Sequence, residues 1–140
     1  MSHRTDRRNV GDRFPLMSLA EASAALGFVQ SNDTNPILIA ESKGCLFSVV
    51  DSDGVQKVPA FQIDKAKKVV YPIIKDLLYE LNDRGGKKID SWLIFDWFTS
   101  PIDDKHPFTP AELLCDKNSH EELLYLASQT GASNAGRYAI

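Results

Sequence analysis

Lys57-Val58-Pro59-Ala60-Phe61-Gln62-Ile63 opens the stretch that decides the fold, and Phe108-Thr109-Pro110-Ala111-Glu112-Leu113-Leu114 closes it. Between them stand Asp90-Ser91-Trp92-Leu93-Ile94-Phe95-Asp96-Trp97-Phe98 and then Ser100-Pro101. From Val69 to Leu81 the apolar residues are Val70, Ile73, Ile74, Leu77, Leu78 and Leu81, the spacing of a helix with one buried stripe. Pro72 is tolerated only near the start of such a helix, because it lacks an amide proton and crowds the preceding turn. Gly85-Gly86 breaks the pattern. Asp90 or Ser91 is placed to cap the next helix, whose body is Trp92 to Phe98. Thr109-Pro110-Ala111-Glu112 is a capping box with proline at the first helical position. Ser119-His120-Glu121-Glu122 reads as a further box, opening a helix through Ala127. The whole stretch is rich in apolar and aromatic side chains and holds no catalytic set, so it reads as a surface for holding another protein.

Working outward, the first half alternates helix and loop before a hairpin. Ser18-Leu19-Ala20-Glu21 is a capping box, and the alanines that follow favour a helix from about Leu19 to Leu26, with Gly27 just past its end. Ser31-Asn32-Asp33-Thr34-Asn35 is loop chemistry. Asn35 then caps a second helix, from Pro36 to about Lys43, which Gly44 ends. Leu46 to Val50 and Val55 to Val58 flank Asp51-Ser52-Asp53-Gly54, where glycine supplies the positive φ of a tight turn, so the pair reads as a β-hairpin. The expected fold class is mainly α with a small β-hairpin. The expected organisation is a flexible basic arm over 1–15, a helix-turn-helix-like module with a hairpin over 16–63, a helical domain over 64–128 and a flexible tail over 129–140.

The chain has 140 residues, 43% of them apolar, and a formal net charge of −3. That is enough apolar material for a core, and the acidic balance argues against a generic polyanion binder. Positive charge gathers at the N-terminus, in Arg4, Arg7, Arg8 and Arg13. The second helix would occupy the recognition place of a helix-turn-helix, yet it is apolar and acidic, with Lys43 its one basic residue. Base edges are read by Arg, Lys, Asn or Gln. The candidate nucleic-acid contacts are therefore Arg4, Arg7, Arg8, the loop amides Gln30, Asn32 and Asn35, and Lys43.

Other chemistry is sparse. Asp103-Asp104-Lys105-His106 lacks a fixed ligand geometry and reads as a solvated turn. Cys45 and Cys115 follow no metal-ligand spacing and read as buried, reduced thiols of a cytoplasmic protein. No phosphate-binding loop, nucleophile elbow, signal peptide or membrane-length apolar run is present in the sequence. The expectation is a protein that is not an enzyme and uses no cofactor or metal. Trp92, Phe95 and Phe98 recur every three residues and belong on a core face. Trp97 points elsewhere and becomes a candidate partner contact.

These residues carry a resemblance. Val58-Pro59-Ala60-Phe61-Gln62, Ser91-Trp92 with Trp97-Phe98, Ser100-Pro101 and Thr109-Pro110-Ala111-Glu112-Leu113-Leu114 together resemble the toxin-binding domain of the MbcA/ParS/Xre antitoxin family. Two positions depart from its pattern. Ile102 stands where the family has Asn, and His106-Pro107-Phe108 stands where it has a Gly before the Thr-Pro step. The resemblance implies a helical domain that neutralises a RES-type toxin, a class that degrades NAD, in a protein that forms a homodimer and represses its own operon through operator DNA. The expected partner contacts are Trp97, the loop at Pro101, and Arg137 and Tyr138 of the tail. The alternative is a DNA-binding transcriptional regulator without a toxin partner.

Overall fold

A computed structural model describes residues 14–28, 35–84, 86, 89–102 and 108–138, the side chains of residues 35 and 133–138 excepted. The described chain is mainly α, with short antiparallel strands. In order it forms β1 (Leu16–Ser18), α1 (Leu19–Ala25), α2 (Asn35–Ser42), β2 (Val49–Val50), β3 (Gln56–Pro59), β4 (Ile63–Asp64), β5 (Val69–Val70), α3 (Ile73–Leu81), α4 (Ser91–Thr99), α5 (Pro110–Leu113) and α6 (His120–Tyr138). No helix among the described residues is long and apolar enough to cross a membrane.

Local chemistry sets the starts of α1, α4 and α5. The Ser18 hydroxyl accepts from the Glu21 amide at 3.0 Å, and the Glu21 carboxylate accepts from the Ser18 amide at 2.8 Å. The bonds from the Ser18 backbone and hydroxyl hold the Glu21 carboxyl below its ordinary value. Their contribution is complete above the usual carboxylate range and is lost as pH falls through the lowered value. Gly27 follows α1 with φ 83°, and the Phe28 amide reaches back to the Ser23 carbonyl at 3.1 Å, closing the helix end. Asp90 caps α4 by accepting from the Trp92 amide at 3.1 Å. Thr109 and Glu112 make the second capping box around Pro110.

The hairpin is present and carries a strand that its own sequence does not announce. β2 pairs with β3, and β1 pairs with the other edge of β3, Met17 facing Val58, to give the order β1-β3-β2. A second hairpin pairs Ile63 with Val70 and Asp64 with Val69. Val69 and Val70 are therefore strand, not the first turn of a helix. Two β-branched residues favour extended backbone, and the residue before Pro72 is pushed out of the helical region, so α3 begins only at Ile73. Ser119 does not open a capping box. Its hydroxyl donates to Asp116 at 2.8 Å, and Asp116 caps a 3-10 turn over Lys117–Ser119 ahead of α6.

Two clusters make the core. The smaller joins Ala22, Ile37, Leu46, Val58 and Ile63. The larger joins Phe14, Phe47 and Val49 to Ile74, Leu77, Leu81, Phe95, Phe98, Leu114, Leu123 and Ala127. Phe14, counted with the arm in the sequence, is buried and stands edge-on to Phe61 at 6.1 Å, because the apolar floor of the helical half needs a ring there. Phe47 stacks on Phe98 with centroids 5.6 Å apart and planes 14° from parallel, while Phe61 meets Phe98 at 5.2 Å.

Gln62 ties these parts together. It is fully buried in the 3-10 turn Ala60–Gln62. Its Oε1 accepts from the Phe47 amide at 2.9 Å, and its Nε2 donates to the Phe47 carbonyl at 2.9 Å and to the Pro59 carbonyl at 3.2 Å. Phe47 lies in the irregular segment before β2, where its backbone has no strand partner. The glutamine amide supplies both missing bonds.

The tail expected to be flexible from Gln129 is instead the second half of α6. Leu123, Ala127 and Gly131 are buried at four-residue intervals on one helix stripe, and α6 lies along α3. A Cβ at Gly131 would stand 1.9 Å from the Glu80 carbonyl oxygen, so only glycine permits this approach.

Two substitutions test the packing. Gly131→Ala is expected to lower stability by about 2 kcal/mol, the usual cost of forcing atoms into a filled site, measured by urea unfolding. Gln62→Leu keeps the volume and strands the Phe47 amide and carbonyl. It is expected to cost about 3 kcal/mol in the same assay, well beyond the loss of one ordinary hydrogen bond.

Candidate partner-binding cleft

Successive turns of α4 set the first wall of a surface cleft. Leu93 and Trp97 are four residues apart, as are Asp96 and Ser100, so each pair shares a helix face. Phe95 and Phe98 fill the core on the opposite side. Trp92 is half-buried, meets Phe95 edge-on at 5.3 Å and donates its indole N–H to the Val50 carbonyl at 2.9 Å. Trp97 is half-buried and stands edge-on to Phe98 at 5.0 Å, which fixes the ring from below and leaves its other side to the cleft.

The second wall comes from the far end of the chain. Leu126 and Thr130 of α6, again four residues apart, face the α4 residues across a space of about 380 Å³. Pro101, Ile102 and Pro110 close one end. The turn there is pinned at several points. Ser100 donates its hydroxyl to the Asp96 carbonyl at 2.6 Å. The Ile102 amide donates to the Phe108 carbonyl at 3.2 Å. Thr109 is fully buried and capped by Glu112, which seats Pro110 at the rim. Phe108 remains 56% exposed at the same end. Asp96 is the one ionisable side chain among the lining residues, so the cleft is an apolar slot with a single acidic edge.

Of the expected partner contacts, the structure brings Trp97 and Pro101 to this one site. Arg137 and Tyr138 stand in the last turn of α6, seven and eight residues beyond Thr130, or roughly 10 Å farther along the helix axis. Arg4, Arg7, Arg8, Gln30 and Asn32 lie outside the described residues, as does the Asp103–His106 turn. Asn35 is the first residue of α2, one position later in the helix than its expected capping role, and Lys43 is exposed just past the helix end. Sequence reasoning missed Leu93, Asp96, Leu126 and Thr130. Their four-residue spacing was visible, but nothing local says that the two helices face each other.

A second, smaller recess of about 280 Å³ separates α2 from α3 and α4. Its polar groups bond mainly to one another. The Glu41 carboxylate accepts from Gln56 at 2.9 Å and from the Ser48 amide at 3.1 Å, and Asn82 bonds the Leu78 carbonyl and the Ile89 amide, each at 2.9 Å. That recess is a bonded seam between the halves. Cys45 is half-buried and Cys115 exposed, so neither thiol is buried as the sequence suggested. Among the described residues no group of three or more His, Cys, Asp or Glu side chains is placed to hold a metal ion. No family model, curated protein or solved structure matches the chain.

Proposed function

We propose that the chain is an antitoxin-like protein that binds and neutralises a RES-type toxin through the Trp97 cleft. The observation that carries the reading is the cleft itself. Trp97, Pro101 and Pro110, which belong to the segment that carries the family resemblance, meet the wall of α6 there. Large aromatics held rigid in a recess are the residues that dominate protein–protein affinity, because they bury much area at little entropic cost. Neutralisation on this reading is steric. The helical half covers the toxin, and the end of α6 extends the contact toward Arg137 and Tyr138. The protein acts by binding in the cytoplasm, as a homodimer, without cofactor or catalysis.

A second activity has its own support. The order β1-α1-α2-β2-β3, with β1 and β2 on either edge of β3, supports reading the first half as a helix-turn-helix-like module with a small hairpin wing. It favours a module that docks on operator DNA, alone in the alternative reading or together with toxin binding in the first. The exposed residues of α2 include Leu38 and Ile39 rather than base-reading side chains. Specific readout on this view falls to the α1–α2 connection and the arm.

The test is co-expression with the RES-type toxin expected in the adjoining reading frame. The intact chain should restore growth and cellular NAD. Thr130→Arg fills the cleft from a half-buried position, and Trp97→Ala removes its anchor. Each should weaken toxin binding by about 2 kcal/mol or more in calorimetry. Unchanged affinity in Thr130→Arg, with its melting curve intact, would remove the cleft from the interface.

A further inference from the structure

The β4–β5 turn, Lys65-Ala66-Lys67-Lys68, is the densest positive charge in the described fold. All four residues are exposed, and none of the three lysines forms an ion pair among the described residues. The neighbouring acid, Asp64, accepts from the Lys67 amide at 3.3 Å and so braces the turn from its base. Lys68 adopts φ 57°, a left-handed conformation that glycine takes freely and a lysine takes against its side chain. The strain is local, and it sets Lys68 directly beside α1. A Cβ at Gly27 would lie 3.5 Å from the Lys68 Cδ and 3.9 Å from its Cβ. The lysine stem therefore packs over the end of α1, where the chain enters the connection to α2.

We propose that Lys65, Lys67 and Lys68 form the phosphate-contacting edge with which the N-terminal module grips duplex DNA. The inference rests on the reading of that module as DNA-docking and adds to it the β4–β5 turn, which lies just past residue 63 and packs back on the end of α1 through Lys68. The logic is electrostatic. A chain with net charge −3 can hold a polyanion only through a local concentration of cations. Lysines on a braced turn offer point charges suited to phosphate oxygens, which fix register and orientation without reading bases. Lys68 lies against Gly27, which puts the charged turn at the end of α1. This also answers the apolar character of α2, since the affinity does not have to come from that helix. Anionic membrane surfaces are the competing polyanion. Polybasic membrane sites usually gather about four to eight basic residues, and the turn has three.

The test uses the full chain and a short fluorescent duplex, titrated over a range of salt concentrations. The parent protein is expected to bind at low salt, with log K falling linearly against log salt. Changing Lys65, Lys67 and Lys68 together to Gln should weaken binding about ten-fold or more and flatten that slope by roughly two to three, at about 0.9 per lost phosphate contact. A control with the same charge change, Lys75→Gln with Arg84→Gln and Lys117→Gln, should leave the slope as it was, and circular dichroism should give folded spectra for both variants. If the parent binds the duplex and the turn variant matches the control, the lysine assignment is overturned while the DNA-docking reading stands. If the parent binds no duplex at low salt, the DNA-docking reading fails and takes the assignment with it. Binding to phosphatidylserine vesicles but not to duplex would make the turn a membrane contact and overturn the proposal.

Discussion

One buried amide fixes the segment through which the first half of this chain packs onto the second. The irregular segment Leu46–Ser48 enters the core with its backbone unpaired by any strand, and the Gln62 side chain supplies the bonds that the Phe47 amide and carbonyl require. Burying those two groups without partners would cost far more than a typical hydrogen bond returns. With them satisfied, the Phe47 ring can sit on Phe98, and Phe61, next to Gln62 in the chain, closes against Phe98 and Phe95. The first half is thereby anchored to α4. Trp92 adds a second tie from α4 to the hairpin through the Val50 carbonyl.

The cleft depends on that anchoring. Trp97 is held by its edge contact with Phe98, and Phe98 is held by Phe47 and Phe61. The opposite wall depends on a different contact, the approach of Gly131 to the Glu80 carbonyl, which brings α6 close enough to α3 for Leu126 and Thr130 to face α4. The site is thus a product of packing on both sides, and its lining residues are positioned by side chains that never reach it. A preformed recess of this kind loses little entropy when a partner enters.

How much of this the sequence disclosed follows from how local each interaction is. The capping boxes at Ser18 and Thr109, the cap at Asp90, the turn at Gly54 and the core face of Phe95 and Phe98 are settled by residues within a few positions, and each is present. Strand β1 was missed because three residues are too few to show a period, and its partner lies some forty residues on. Strand β5 reads as helix in the sequence because Val70 fits the helical stripe that Ile73 and Leu77 continue, and Pro72 is tolerated at a helix start, whereas it stands just before α3. The end of α6 was read as a tail because its small, polar residues look unstructured alone. Gly131 there is a docking surface, which only the presence of α3 reveals. Trp97 and Pro101 were singled out from sequence, whereas the wall opposite them, Leu126 and Thr130, requires knowing which helices are neighbours.

The central claim is that the slot between α4 and α6 is the face that meets a protein partner. Hydrogen–deuterium exchange of the chain alone and mixed with a purified RES-type toxin tests it directly. The account predicts added protection in residues 93–102 and 126–130, with the Asp51–Gln56 turn exchanging as before. Protection confined to the β2–β3 hairpin or α2, or no protection anywhere at saturating toxin, would contradict it.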